Sequence, residues 1–235
     1  MNTDLQTVII TGANRGIGLA LVERFLASGV WRVLACCRAP DQATALQKLA
    51  REQADRIELF ALDVTDSGSA EHFAWQINGR KVDVLLNNAG VKGGDHQTAL
   101  DMDFDAWEEA LQVNTLAPLR MVQAVIGNLR LSTQPKIITI SSQMGALSRK
   151  GSGSYAYSSS KAAVNKVMQI LASDLQADGF IVCLYHPGWV QTDMGGKSAT
   201  ISPEESANGL FSSITALTRT DNGRFLKWNG EEHPW

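Results

Sequence analysis

TVIITGANRGIG, residues 7 to 18, begins as a short β-branched apolar run and ends in glycines at 12, 16 and 18. The run reads as a strand closed by Gly12, and Ile17, Leu21, Phe25 and Leu26 then recur at helical spacing until Gly29. Glycine suits a strand-to-helix junction of this kind, where the backbone turns sharply and a phosphate can approach the main chain. The free N–H groups at the start of the helix, with its positive dipole end, favour an anion there. A pyrophosphate fits. Alone, the glycines would equally serve a tight packed turn, and their G-x-x-x-G-x-G spacing departs from the G-x-G-x-x-G dinucleotide fingerprint.

The same alternation continues outward. Strands are expected near 31–36, 57–62 and 82–86, with helices near 41–54 and 67–77 between them. A long helical segment (about 104–130) precedes a strand at 136–141, a second (about 155–177) precedes 180–185, and a third (202–217) precedes 223–228. Strands that alternate with helices give right-handed crossovers and a parallel sheet covered on both faces. The expected fold is a doubly wound α/β Rossmann sheet of about seven parallel strands and six main helices, in one domain spanning 1–235.

The 21 Lys and Arg against 24 Asp and Glu leave a net charge of −3 and no basic field for nucleic acid or an anionic membrane surface. No apolar run approaches the ~20 residues of a membrane span, and the start MNTDLQTVIITG lacks a leader's basic end and long apolar stretch. A cytoplasmic location is expected. Cys36, Cys37 and Cys183 lie in apolar surroundings without ligand spacing to histidine, so they read as reduced structural thiols, and no metal site is expected.

YAYSSSK, residues 155 to 161, holds two tyrosines and a lysine. On a helix Tyr157 and Lys161, four apart, share a face, whereas Tyr155 and Lys161 point apart. Bringing a tyrosine from its usual ~10 to near 7 takes about 4 kcal/mol, the scale of one nearby ammonium at an effective dielectric near 20. Lys161 is therefore expected to lower the Tyr157 pKa.

Taken together, TGANRGIG, NNAG (87–90), QVNTLAPL (112–119), TISSQMG (139–145), Tyr157-x-x-x-Lys161 and HPGWVQT (186–192) resemble the short-chain dehydrogenase/reductase family over essentially the whole chain. Within it, YAYSSSKAAVN and the C-terminal GRFLKWNGEEHPW look most like the carbonyl-reductase-like branch with its sniffer-like and C-factor-like proteins. The resemblance implies a catalytic set of Asn114, Ser142, Tyr157 and Lys161, in which the Asn114 carbonyl holds a relay water and Lys161 also bonds the nicotinamide ribose. A kink or capping role is the other reading of Asn114, and Ser141 reads as structural. The resemblance further implies cofactor contacts by Gly12, Asn14, Arg15, Gly16, Ile17 and Gly18, by Asn88, Ala89 and Gly90, and by Pro187, Gly188, Val190 and Thr192. Asp63 and Val64 match the adenine position, although Asp63 reads equally as a helix cap.

The second strand ends ACCRAP, with Arg38 where an NAD-preferring chain carries an acid, and Arg15 adds a second cation. Guanidinium groups bind a 2′-phosphate in forked geometry, so NADP(H) is expected over NAD(H). The implied activity is NADPH-dependent reduction of an aldehyde, ketone or quinone, with Tyr157 as acid/base. An NADP(H)-binding regulatory or signalling protein, or an NAD-linked alcohol dehydrogenase, are the alternatives. The small-molecule substrate is expected against a loop at about 188–203, a candidate lid. Trp189, Met144 and Met194 read as pocket wall or as core or oligomer contacts. The family resemblance implies a homodimer or homotetramer.

Overall fold

A computed structural model describes residues 5–235, and the first four residues of the stretch read for a leader lie outside them. Seven strands form one sheet: β1 (Gln6–Thr11), β2 (Trp31–Cys37), β3 (Ile57–Ala61), β4 (Val84–Asn87), β5 (Lys136–Ile140), β6 (Ile181–His186) and β7 (Phe225–Lys227). Their order is β3-β2-β1-β4-β5-β6-β7 and every neighbouring pair is parallel. The expected doubly wound Rossmann fold is present.

Side chains that alternate along each strand feed two separate cores. From β1, Val8 and Ile10 join one core while Ile9 joins the other, and in β6 Ile181, Cys183 and Tyr185 oppose Val182 and Leu184. Helices α1 (Gly16–Ala27), α2 (Thr44–Glu52) and α7 (Pro203–Ala216) cover the first face. The second face is covered by α3 (Ser67–Gln76), α5 (Ala117–Leu129) and α6 (Tyr155–Asp174). Phe25 of α1 is fully buried, edge-on to Trp31 at 5.0 Å and to Phe211 of α7 at 4.9 Å. Burying such a ring is worth about 2–3 kcal/mol, so this contact seats α1 and α7 together.

Two local features depart from the sequence reading. The segment expected as one helix over 104–130 is α4 (Phe104–Leu111), a π turn (Gln112–Leu116) and then α5. The cause is Pro118: it has no N–H to give the carbonyl four residues back, which belongs to Asn114, and its ring crowds that carbonyl. The Ala117 N–H accordingly reaches Gln112, five residues back. A two-residue antiparallel ladder, Gln97–Thr98 with Asp101–Met102, also stands apart from the sheet.

The chain runs outward from β1 to β3, returns to β4 beside β1, and then runs the other way. The crevice at the carboxyl ends of β1 and β4 is therefore the switch point, where open α/β sheets bind ligands.

Candidate active site

A cleft of about 1040 Å3 opens at that switch point. Its floor is the glycine loop. Gly12 and Gly16 have φ of +64° and +54°, and a Cβ on Gly18 would stand 2.1 Å from the Gly12 carbonyl oxygen. Only glycines permit this closeness. Arg15, the residue before α1, makes no side-chain cap, so the first N–H groups of the helix face the cleft without a protein side chain bonded to them from that position.

NNAG holds the floor from the other side. The Thr11 hydroxyl accepts from the N–H groups of Asn88 (3.0 Å) and Ala89 (3.1 Å), while the Asn88 amide donates to the carbonyls of Thr11 (2.9 Å) and Gly12 (3.1 Å). The ends of β1 and β4 are thus stitched together beneath the loop.

At one end of the cleft stand Arg38, Asp63 and Val64. Asp63 closes an Asx turn, accepting from the Thr65 N–H (2.9 Å) and hydroxyl (2.7 Å). These bonds, with the charges of Arg38 and Arg120, hold its carboxyl below the ordinary range against a partial burial penalty. Asp63 is not a helix cap: that place at α3 belongs to Asp66, which accepts from the Gly68 N–H. Arg15 pairs with Asp193 at 3.2 Å, joining the glycine loop to the loop after β6, but both side chains are largely exposed and the bond is weak.

At the other end, the loop after β5 is pressed onto α6. A Cβ on Gly145 would lie 2.7 Å from the Lys161 carbonyl carbon, and Asn165 bonds both the Ser141 hydroxyl (2.5 Å) and the Gly145 carbonyl (3.2 Å). The Ser141 hydroxyl is taken up by Asn165, and the residue also lies on the cleft wall. Ser142 accepts from the Met144 N–H (3.1 Å), and its side chain is hydrogen-bonded to Tyr157. Tyr157 and Lys161 both line the cleft, with the Lys161 Nζ 5.8 Å from the centre of the Tyr157 ring.

The electrostatics differ from the expectation. Burial raises the Tyr157 pKa above its ordinary value and only the Ser142 bond offsets it. Lys161 exerts no resolved pull because its ammonium donates to the Ile140 carbonyl (2.8 Å) and is itself desolvated, which lowers its pKa to about 8. The phenol is therefore protonated at neutral pH.

Asn114 is the middle residue of the π turn, Gln112–Leu116, between α4 and α5. Its side-chain oxygen accepts from the Val91 N–H (2.9 Å), and its amide donates to the Val91 carbonyl (2.9 Å) and the Ser160 hydroxyl (3.0 Å). The side chain is thus fully engaged, and Pro118 removes the ordinary helical donor to the main-chain carbonyl. Of the two earlier readings of Asn114, the kink is the one that the π turn matches.

Most of the sequence-predicted residues share the cleft wall: Asn14, Ile17, Gly90, Pro187 and Thr192 join those already named. Asn114, Ser142, Gly188 and Val190 do not, and next to Ser142 it is Ser141 that lies on the wall. Gly188 turns with φ +90° where a Cβ would strike Ile201, and buried Val190 pairs with Ile201, so both shape the loop from behind. The Thr192 hydroxyl is engaged within that loop, accepting from the Gly195 N–H at 3.1 Å. Among residues not anticipated, Cys37, Leu62, Val91 and Val113 add apolar wall. Gly145 and Asn165 were legible in principle, since Asn165 extends the Tyr157–Lys161 face by another four residues.

Met144, Trp189 and Met194 are 37%, 47% and 45% exposed, which rules out a core role for them. All three cysteines are buried and free, and burial raises the pKa of each, consistent with inert thiols. Among the described residues no helix is long and apolar enough to cross a membrane.

A family model for short chain dehydrogenases matches residues 6–201. The C-signal protein of Myxococcus xanthus is 40% identical over 165 residues, covering 69% of this chain and 98% of that protein. The structure of an NADPH-bound carbonyl reductase from chicken fatty liver superposes with a TM-score of 0.91 at 32% identity, over 98% of this chain and 99% of that one. Carbonyl reductase Sniffer of D. melanogaster superposes with a TM-score of 0.93 at 28% identity, over 98% of this chain and 100% of that one. This chain belongs to the short-chain dehydrogenase family.

Proposed function

We propose that this member of the short-chain dehydrogenase family is an NADPH-dependent reductase of small-molecule carbonyl compounds. The observation that carries the proposal is the half-buried, protonated Tyr157 phenol beside Ser142 at the inner end of a cleft whose other end holds a glycine cradle and Arg38. The chicken structure, which is an NADPH-bound carbonyl reductase, supports it.

The residues fit the cofactor. Gly12, Gly16 and Gly18 keep the main chain open to a pyrophosphate, Arg38 and Arg15 supply cations for a 2′-phosphate, and Lys161 stands where ribose hydroxyls would be bonded. Bound NADPH supplies the hydride. Ser142, whose bond to Tyr157 lowers the phenol's pKa and so carries its O–H toward the phenolic oxygen, would turn that O–H to the substrate oxygen as substrate binds. Tyr157 gives that oxygen a proton, and Lys161, charged below about pH 8, would leave the Ile140 carbonyl to meet the phenolate that forms. The exposed Met144, Leu147, Tyr155, Trp189 and Met194 stand on the segments flanking Ser142 and Tyr157 and on the loop after β6, and suit a substrate with an apolar body.

The test is NADPH consumption against aldehydes, ketones, diones and quinones, with Tyr157→Phe as control. Turnover is expected in the natural chain, reduced by about 10²–10⁴ in the variant. Equal rates would refute the role of Tyr157. The likeness to C-signal favours a second reading, an NADP(H)-binding regulatory or signalling protein with little turnover. Tight NADPH binding with no consumption across the panel would select it.

A further inference from the structure

We infer that Gln97 is a positioning residue for Tyr157: from a loop sixty residues away it supplies the N-terminal cap that α6 cannot make for itself. Because it takes Tyr157 as the proton donor, the inference stands on the function proposed above.

Helix α6 starts in an unusual way. A capping residue ordinarily has extended backbone and folds its own oxygen onto the N–H of the second or third helical residue. The residue before α6 is Ser154, which follows Gly153 in the glycine-rich run GSGS and is itself left-handed, with φ +53° and no side-chain cap. Three other helices cap locally, α3 through Asp66, α4 through Asp103 and α7 through Ser202. In α6 the first N–H with an ordinary helical partner is that of Ser158, which donates to the Ser154 carbonyl (2.8 Å). The N–H just before it belongs to Tyr157.

That N–H donates to the side-chain oxygen of Gln97 at 3.1 Å. Gln97 is 5% exposed and its amide group is fully committed, donating to the carbonyls of Lys92 (2.9 Å) and Gly94 (2.8 Å). Its loop is pressed against the helix start, since a Cβ on Gly93 would stand 2.7 Å from the Ala156 Cβ. Asn114 holds the beginning of the same loop at Val91 and also reaches Ser160. The first turn of α6 is therefore pinned at Tyr157 by Gln97 and at Ser160 by Asn114. Lys161, a turn deeper and bonded to β5, does not depend on Gln97. Loss of the cap frays the turn that carries the phenol and leaves the lysine in place.

Two substitutions separate capping from loop support. Gln97→Met keeps the length and loses every bond, whereas Gln97→Glu keeps an acceptor for the Tyr157 N–H and loses both donors. The chain has three tyrosines, so ring-labelled tyrosine gives three NMR signals, assigned with Tyr157→Phe. In Gln97→Met the Tyr157 titration midpoint should fall toward that of an exposed tyrosine. Its kcat for carbonyl reduction should fall about ten- to a hundredfold, with the NADPH dissociation constant changed less than threefold. Gln97→Glu should recover kcat to within about threefold of the natural chain. An unmoved Tyr157 midpoint in Gln97→Met overturns the inference, and so does an equal loss of kcat in both variants. If Gln97→Met does not fold, Gln97→Glu decides alone: kcat near that of the natural chain upholds the cap, and a tenfold loss overturns it. If the natural chain reduces no carbonyl, the proposed function fails, while the NMR midpoint still decides whether Gln97 positions Tyr157.

Discussion

Lys161 reaches past Tyr157 to the Ile140 carbonyl: its ammonium lies 2.8 Å from that oxygen and 5.8 Å from the centre of the tyrosine ring. The pair shares a helix face as the four-residue spacing requires, yet the lysine is anchored to the sheet. It is a desolvated cation whose own charge is within reach of titration.

The pH dependence of turnover follows. With its pKa lowered to about 8, Lys161 loses its proton as pH rises through that value, while Tyr157, raised above its ordinary position, keeps its own. The ratio kcat/KM for NADPH reports the free enzyme and should decline about tenfold per pH unit above that point. In Lys161→Arg, whose charge persists, the alkaline limb should vanish even though the plateau is lower. A natural-chain plateau that continues unbroken to pH about 9.5 would sink the assignment.

Arg38 should discriminate between the two nicotinamide cofactors. Replacing it with alanine removes a forked, charge-assisted contact worth about 1.5–3 kcal/mol, so NADPH binding should weaken roughly ten- to a hundredfold. NADH binding should change less than about threefold, because it carries no 2′-phosphate. Titration of cofactor fluorescence measures both, and an unchanged ratio would remove the support for NADPH preference.

Thr11→Val probes the stitch beneath the glycine loop. The hydroxyl serves two backbone donors, the N–H groups of Asn88 and Ala89, and valine leaves both without that acceptor at nearly the same volume. Destabilisation of roughly 2 kcal/mol is expected, read as a lower urea midpoint at unchanged slope. A shift within error would mean water replaces the hydroxyl without loss.

His186 makes folding stability sensitive to mild acid. Burial, with the charges of His233, Arg149 and Lys227 adding to it, lowers its pKa from the usual value to about 4, and its Nδ1 has no partner among the described residues. Between the usual ~6.5 and about 4 the unfolded chain binds a proton that the folded chain refuses, so stability is lost as pH falls through that window. The contribution from pH 7 to 5 is roughly 2 kcal/mol, and His186→Leu should flatten it in urea denaturation. An equally steep fall in that variant would assign the effect to other groups.

Much of the fold is a local property and was open to reading. Strand and helix order followed from period-two and helical spacing, because each face of each element must be buried. The glycine loop, Asn88, Ser142, Tyr157 and Lys161 could be placed because their motifs are short and contiguous. The π turn was also legible, in Pro118 four residues after Asn114, but the helical pattern on either side masked it.

What sequence by itself determined, then, was the order of elements, the parallel sheet and the side chains gathered at its switch point, all set by periodicity and by contacts within a few residues. The tertiary structure alone decided how those groups behave. That Gln97 caps the helix bearing Tyr157, that Arg15 meets Asp193 and that Asp66 rather than Asp63 caps α3 are matters of which chain segments meet. Whether Tyr157 is raised or lowered depends on desolvation and on the direction Lys161 takes, and burial exists only once the chain has closed around the site.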